Sequence, residues 1–273
     1  MNILPKMLEI PHIDLEKTAE VQAIAPITLG EMDTIKLMNR IDSKFVTNED
    51  VLLAILRDAH AEGYRALVVE GKKVSPYDSM YYDTPDLRMF LDHHNKRMVR
   101  QKVRTRVYVS SGQTFLEIKH KNNKKRTKKK RTEIPNDLFF DFRSDAAAAE
   151  YLAGHSSFTT ADLVPQMETI FNRITLVNAA KTERLTIDTN LRFVNHVTGL
   201  NSSLKNAVII ELKQDGRADS QMKRILLNHR VKPMRVSKYC IGITITNPTV
   251  KSNRFKLKVR NIEKIINSKI ELI

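Results

Sequence analysis

Residues 101–110 read QKVRTRVYVS, and residues 113–121, after a Ser-Gly step, read QTFLEIKHK. In the first segment Lys102, Arg104 and Arg106 alternate with Val103, Thr105 and Val107; in the second, Glu117, Lys119 and Lys121 alternate with Leu116 and Ile118. Successive side chains of a strand point to opposite faces, so each segment predicts a strand with one largely apolar face and one ionic face. The pattern returns where Arg184, Thr186 and Asp188 alternate with Leu185 and Ile187, and where Glu211 and Lys213 flank Leu212. A half-exposed sheet would turn such faces to water. These are rich in Arg and Lys and keep an acid on most strands, which also suits an inward orientation, lining a wet barrel that holds a polyanion.

Working outward, residues 64–134 break into short alternating segments separated by Ser110-Ser111-Gly112 and Asn122-Asn123-Lys124, as hairpin connections would be. An antiparallel meander is expected there, with a short helix around residues 86–93. Before it, Thr47 to Asp50 precede VLLAILRDAHAEGY, whose apolar spacing predicts a capped amphipathic helix ending near Gly63. After it, residues 137–154 and 217–229 read as helices, and strands resume at QMETIFNRITLVN, ERLTIDTNLRFVN and NAVIIELKQ. The segment SKYCIGITI fits a final strand or a buried helix. The expected organisation is a lead-in over residues 1–29, one domain over 30–250 and a basic tail over 251–273.

The chain has 273 residues, enough for a substantial core, and a formal charge of +15, which favours anionic partners. Its one cysteine, Cys240, cannot form an internal disulfide. With no secretory signal at the N-terminus and no stretch of roughly 20 apolar residues, a cytoplasmic location without membrane insertion is expected. Eight glycines and no glycine-rich cradle leave side chains to make any phosphate contacts. Aromatic content of 6% without a stacking motif argues against nucleic acid as the partner.

Arg104 and Arg106 on one strand face are suited to bidentate grip on successive phosphoryl groups. In the basic run over residues 119–131, the stretch 122–125 reads as a solvated hairpin tip. Lys129 and Arg131 keep the parity of a strand with Glu133 and are expected in the lumen, as are Lys121 and Lys213. The E-x-K pairs Glu117/Lys119 and Glu211/Lys213 combine a phosphate-binding lysine with a carboxylate for Mg²⁺ or Mn²⁺. Glu211 is the first candidate metal ligand and Glu117 the second. His93 and His94 lack ligand spacing, sit in a polar segment expected to be exposed, and receive no role.

R-I-D-S-K-F at 40–45, Y-Y-D-T at 81–84, R-T-R at 104–106, E-I-K at 117–119, E-R-L-T-I-D-T at 183–189, E-L-K at 211–213 and S-K-Y at 237–239 follow one another in that order. Together, over residues 30–245, they resemble the VTC domain, the polyphosphate polymerase domain of the vacuolar transporter chaperone complex, in the triphosphate tunnel metalloenzyme superfamily. The resemblance implies an α+β fold: an antiparallel β-barrel tunnel with flanking helices, binding a triphosphate and a divalent metal. By motif, Lys44, Arg104, Arg106, Lys119, Arg131, Arg184 and Lys238 would contact phosphate and Glu211 the metal.

The activity so implied is transfer of the γ-phosphoryl of ATP to a polyphosphate chain. The regulatory SPX domain and membrane segments of eukaryotic members are not expected to carry over. A tripolyphosphatase or nucleoside triphosphatase would use the same tunnel with water as acceptor. A non-catalytic binder of polyphosphate or nucleic acid is the reading from a different class.

Overall fold

The computed structural model describes residues 12–35, 40–124, 126–216 and 219–273. Its strands are β1 (Ala25–Ile27), β2 (Ile41–Asn48), β3 (Arg65–Leu67), β4 (Ser75–Asp83), β5 (Arg100–Tyr108) and β6 (Gln113–Lys121). They continue as β7 (Thr127–Ile134), β8 (Val164–Val177), β9 (Glu183–Asn195), β10 (Asn201–Ser203) and β11 (Ala207–Gln214). The helices are α1 (Ala19–Ala23), α2 (Leu29–Asp33), α3 (Glu49–Ala61), α4 (Arg88–His94), α5 (Ala146–His155), α6 (Gln221–Asn228), α7 (Lys238–Thr246) and α8 (Asn253–Ile265).

All the strands share one sheet, whose main path runs β2-β11-β9-β8-β4-β5-β6-β7. Pairing along this path is antiparallel, and β1 adds a parallel pair with β3 at the side. The expected α+β class with flanking helices holds, but among the described residues hydrogen bonding does not complete a barrel, since β2 and β7 remain edges. The sheet nevertheless curls. Glu211 on β11 and Lys119 on β6 lie five places apart in the strand order, about 24 Å across a flat sheet at roughly 4.8 Å per strand. Yet Glu211 is the main charge supporting the Lys119 ammonium, so the two strands face each other across an enclosed space.

Packing explains which face turned inward. On the outer side Leu185, Ile187, Val208, Ile210 and Leu212 form one apolar core with Leu52, Ile55 and Leu56 of α3 and Met222 and Leu226 of α6. A second outer core joins Val103, Leu116, Ile118 and Tyr82 to Phe139, Phe142 and Leu152. Each such fully buried side chain contributes about 1.5–3 kcal/mol, and burying these alternate positions leaves the ionic row no direction but the concave face.

One end of that concave face is apolar and is filled by α7. The switch is made within β9: its register against β8 slips between Ile170 and Asn172, and Asn190 takes φ 51°. One extra residue inverts the alternation of a strand. Arg184, Thr186 and Asp188 therefore share the lumen side with Leu191 and Phe193, which pack with Met167 under Ile243 and Tyr239 of α7. Gly242 lets the helix sit this close. A methyl group there would come within 2.7 Å of the Phe193 ring and 3.0 Å of Met167 Sδ.

Several elements differ from sequence expectation. The helix expected over 137–154 begins only at Ala146, where Asp145 accepts from Ala148 N at 2.8 Å; before it a 3-10 turn over Asn136–Leu138 and an irregular segment carry Phe139 and Phe142 into the outer core. The helix expected over 217–229 spans Gln221–Asn228, capped by Ser220; residues 217 and 218 lie outside the described residues. SKYCIGITI resolves as a buried helix and not a strand. The segment after Lys251 forms α8, whose Phe255 and Ile262 enter the core around α7. His94 is 2% exposed and bonded to Asn253, not lying on an open surface. Residues 1–11 of the lead-in and Lys125 of the hairpin tip lie outside the described residues. No helix among the described residues is long and apolar enough to cross a membrane.

Candidate active site

The S-K-Y segment shows how local sequence positions the site. Ser237 caps α7 and its hydroxyl also accepts from Lys102 Nζ at 2.6 Å. Lys238 reaches Asp188 of β9, and the Tyr239 hydroxyl donates to Asp83 at the end of β4. Asp83 in turn accepts from the backbone of Thr84, Met89 and Phe90, so the Y-Y-D-T segment fixes the start of α4. Three consecutive residues thus pin α7 to three strands and aim Lys238 into the lumen.

Cross-strand register gathers the remaining charges. Lys44 pairs with Glu211, Lys213 with Arg184, Arg104 with Glu117, and Lys119 lies between Lys102 and Lys129. Each carboxylate is held by cations. Glu117, 2% exposed, accepts from Arg104 Nε at 2.7 Å and also pairs with Lys129. Asp188 accepts from Arg173 Nε at 2.6 Å and Nη2 at 2.8 Å as well as from Lys238. Glu211 has the looser contact, 3.3 Å to Lys44. Burial alone would raise all three acids, but the facing cations hold them well below the usual carboxylate range.

The cations outnumber these acids, and among the described residues several have no carboxylate in salt-bridge contact. Arg106 is 6% exposed, donates from Nε to Ser79 Oγ at 2.9 Å and stands over the Tyr77 and Phe171 rings. It has no carboxylate in salt-bridge contact among the described residues. A guanidinium has five N–H donors, so most of its capacity is available to an anion. Burial pushes its pKa down, and Arg104 pushes further. Burial and neighbouring cations bring Lys119, Lys213 and Lys238 down to about 8, against the partial support of Glu211 for the first two and Asp188 for the third. Lys119 keeps a large accessible area all the same, because it opens onto the lumen. Burial would raise the Tyr81 phenol, yet Arg104, Arg106, Lys102 and Lys238 overrule it and bring it to about 7.

Of the residues expected from sequence, Lys44, Arg104, Arg106, Glu117, Lys119, Lys129, Arg184, Glu211, Lys213 and Lys238 meet on the concave face. Arg131 lies there too but at the exposed edge, its guanidinium 4.7 Å over the Phe115 ring. Lys121 sits at the end of β6, opposite Arg100. Sequence reading did not select Arg173, Asp188, Lys102 or Tyr81 for the site. Lys102 and Asp188 carried the parity signal. Arg173 lies within β8, whose two charges Glu168 and Arg173 fall on opposite parities, and its bond to Asp188 reveals its place.

The metal question turns on the same donors. No group of three His, Cys, Asp or Glu side chains among the described residues is placed to hold a metal ion. An all-protein cage is therefore not what this lumen offers. Glu211, with its loose contact and its 20% side-chain exposure, fits a divalent cation held by one carboxylate and by the phosphate oxygens of a substrate, the usual manner of Mg²⁺.

A profile of the VTC domain matches residues 39–247. The chain belongs to the VTC domain family. No match was found among curated proteins. Solved structures similar to this VTC chain include a Hippeastrum protein assigned as an adenylyl cyclase and reported to have a dominant triphosphatase activity (11% identity, 75% of this chain and 95% of that one, TM-score 0.49). A Bacillus halodurans protein assigned as an adenylate cyclase is similar at 13% identity, 73% and 96% coverage and TM-score 0.47.

The depressed lysines of the VTC lumen give a pH prediction. Below about pH 8 they are charged, and they lose charge as pH rises through it, so tripolyphosphate affinity should fall from about pH 7 to about pH 9. Bound anion favours the ammonium form, so binding near pH 8.5 should take up protons, measurable as a dependence of calorimetric heat on buffer ionisation enthalpy. In the unfolded chain these lysines titrate near their ordinary value, about 10.4. The empty fold should therefore gain stability as pH rises from about 8 toward 10, opposite in sign to binding. A flat affinity over this window would show that these ammoniums do not face the ligand.

Proposed function

We propose that this protein is a metal-dependent polyphosphate polymerase that transfers the γ-phosphoryl of ATP to a polyphosphate chain within its cationic lumen. Membership of the VTC domain family supports it, and the observation that carries it is the convergence of Lys44, Arg104, Arg106, Lys119, Arg184 and Lys238 on one concave face. Phosphoryl transfer needs mainly positioning and charge stabilisation from a protein. In this reading Arg104 and Arg106 would grip adjacent phosphoryl groups, while Lys44, Lys119, Lys213 and Lys238 would neutralise the rest of the chain. Lys129 and Arg131 extend the row along β7. When bound, Mn²⁺ or Mg²⁺ would neutralise charge on phosphate oxygens; Glu211 would hold it, and Glu117, tied to two cations, is the lesser candidate.

The state of the carboxylates favours a phosphate acceptor over water. Among the carboxylates, Glu117, Asp188 and Glu211 are all held well below the usual range by their cations and are weak bases toward water. The end of a polyphosphate chain is already an anion and needs no proton removed. Incubation with labelled ATP and Mn²⁺ or Mg²⁺ should therefore yield ADP and long polymer. Release of orthophosphate without chain growth would replace this reading with that of a triphosphatase.

A further inference from the structure

The inward row of cations does not stop at the lumen. On β5 it runs from Arg106 through Arg104 and Lys102 to Arg100, about 20 Å at roughly 3.4 Å per residue, longer than the three phosphoryl groups of a triphosphate. Arg100 stands directly opposite Lys121, as Lys102 stands opposite Lys119. Beyond the N-terminus of α7 this row meets α4 and α8. Lys102 Nζ, bonded to Ser237, lies 4.0 Å from Cys240 Sγ, and Cys240 Sγ lies 3.1 Å from His93 Nδ1. His93 packs edge-on to the Phe255 ring, and Lys258 Nζ stands 5.5 Å over that same ring while donating to the Arg235 carbonyl at 2.7 Å.

Arg100, Lys102, Lys121 and Lys258, from two strands and α8, therefore surround His93 at the end of α4. His93 registers them: burial first, then Lys102, Arg100, Lys258 and Lys121, press its pKa down to about 2, with no carboxylate among its main influences. Asp92, the acid next to it, is engaged by Arg97 at 3.0 Å. Lys96 and Arg97 extend the basic rim into solvent. Four like charges gathered around one imidazole favour an extended anion.

We infer that Arg100, Lys121 and Lys258 form a second, outer polyphosphate site, joined to the lumen through Lys102, on which the polymer lies beyond the phosphoryl groups held inside. This rests on the proposed reading of the lumen as a polyphosphate site, but not on which reaction occurs there. The outer site recognises length: a chain of many phosphates spans both sites, whereas tripolyphosphate fills the lumen alone. Joining two sites through one ligand raises affinity without altering either site.

The test compares tripolyphosphate with long-chain polyphosphate on the full chain, before and after the double substitution Arg100→Ala and Lys258→Ala, with Lys258→Glu as a second variant. Thermal unfolding verifies that each variant is folded. The expected result is at least a tenfold loss of long-chain affinity with tripolyphosphate affinity unchanged. Equal losses for both ligands, or no loss for either, would overturn the outer site. Displacement of long-chain polyphosphate from the wild-type chain by single-stranded RNA of matched charge at lower concentration would assign the surface to nucleic acid and also overturn it. Because binding is read without turnover, failure of polymer synthesis in the ATP assay leaves this measurement intact.

Discussion

Arg106→Gln should weaken tripolyphosphate binding by about 10- to 150-fold, the equivalent of roughly 1.5–3 kcal/mol for a hydrogen bond to a charged group, while leaving the empty protein as stable as before or more stable. A buried charge normally stands beside an opposite one. Arg106 is 6% exposed, has Ser79 and two aromatic rings for company, and faces the like charges of Arg104 and Arg173. Replacing it relieves repulsion in the empty state and removes donors from the bound one. Calorimetric titration with tripolyphosphate, beside denaturant unfolding without ligand, reads both effects. A variant that binds normally but unfolds more easily would mean that Arg106 supports the fold and not the anion.

Asp188→Ala is expected to have the opposite character and the largest cost to stability. Asp188 is 2% exposed and carries Arg173 through two hydrogen bonds and Lys238 through a third contact. Removing one member of a buried ionic group typically costs about 3–5 kcal/mol, because the partners stay buried and uncompensated. Here two cations are left, and α7 loses its tie to β9. Tripolyphosphate should recover part of the loss by supplying the missing negative charge, since a ligand that binds only the folded state stabilises it. Urea unfolding of the variant with and without ligand measures this. Unchanged stability in the absence of ligand would show that the triad contributes nothing to the fold.

These two residues also show what was legible in the sequence. The period-two alternation around Arg104, Glu117, Arg184 and Glu211 was enough to place charges on one face of each strand, because the opposite positions had to be buried under helices. It was not enough to place α7. Within SKYCIGITI the run Tyr239 to Ile243 is buried on every side, and burial on all sides removes the periodicity that separates a helix from a strand. Asn190 hid a second fact, since a one-residue bulge inverts the alternation of β9 without leaving a sequence pattern of its own. Arg173 depended on both. Closure of the sheet is likewise a matter of long-range geometry, and alternation along single strands says nothing of whether β2 meets β7.

The facing cations Arg184 and Lys213 on neighbouring strands have a consequence for the molecule at rest. Their mutual push acts like a spring loaded against the apolar layers outside, keeping the channel propped open and hydrated when no guest is there. A phosphate chain arriving in it unloads that spring, so occupancy should stiffen the whole wall at once, with the largest drop in amide exchange along β9 and β11, where the load is carried.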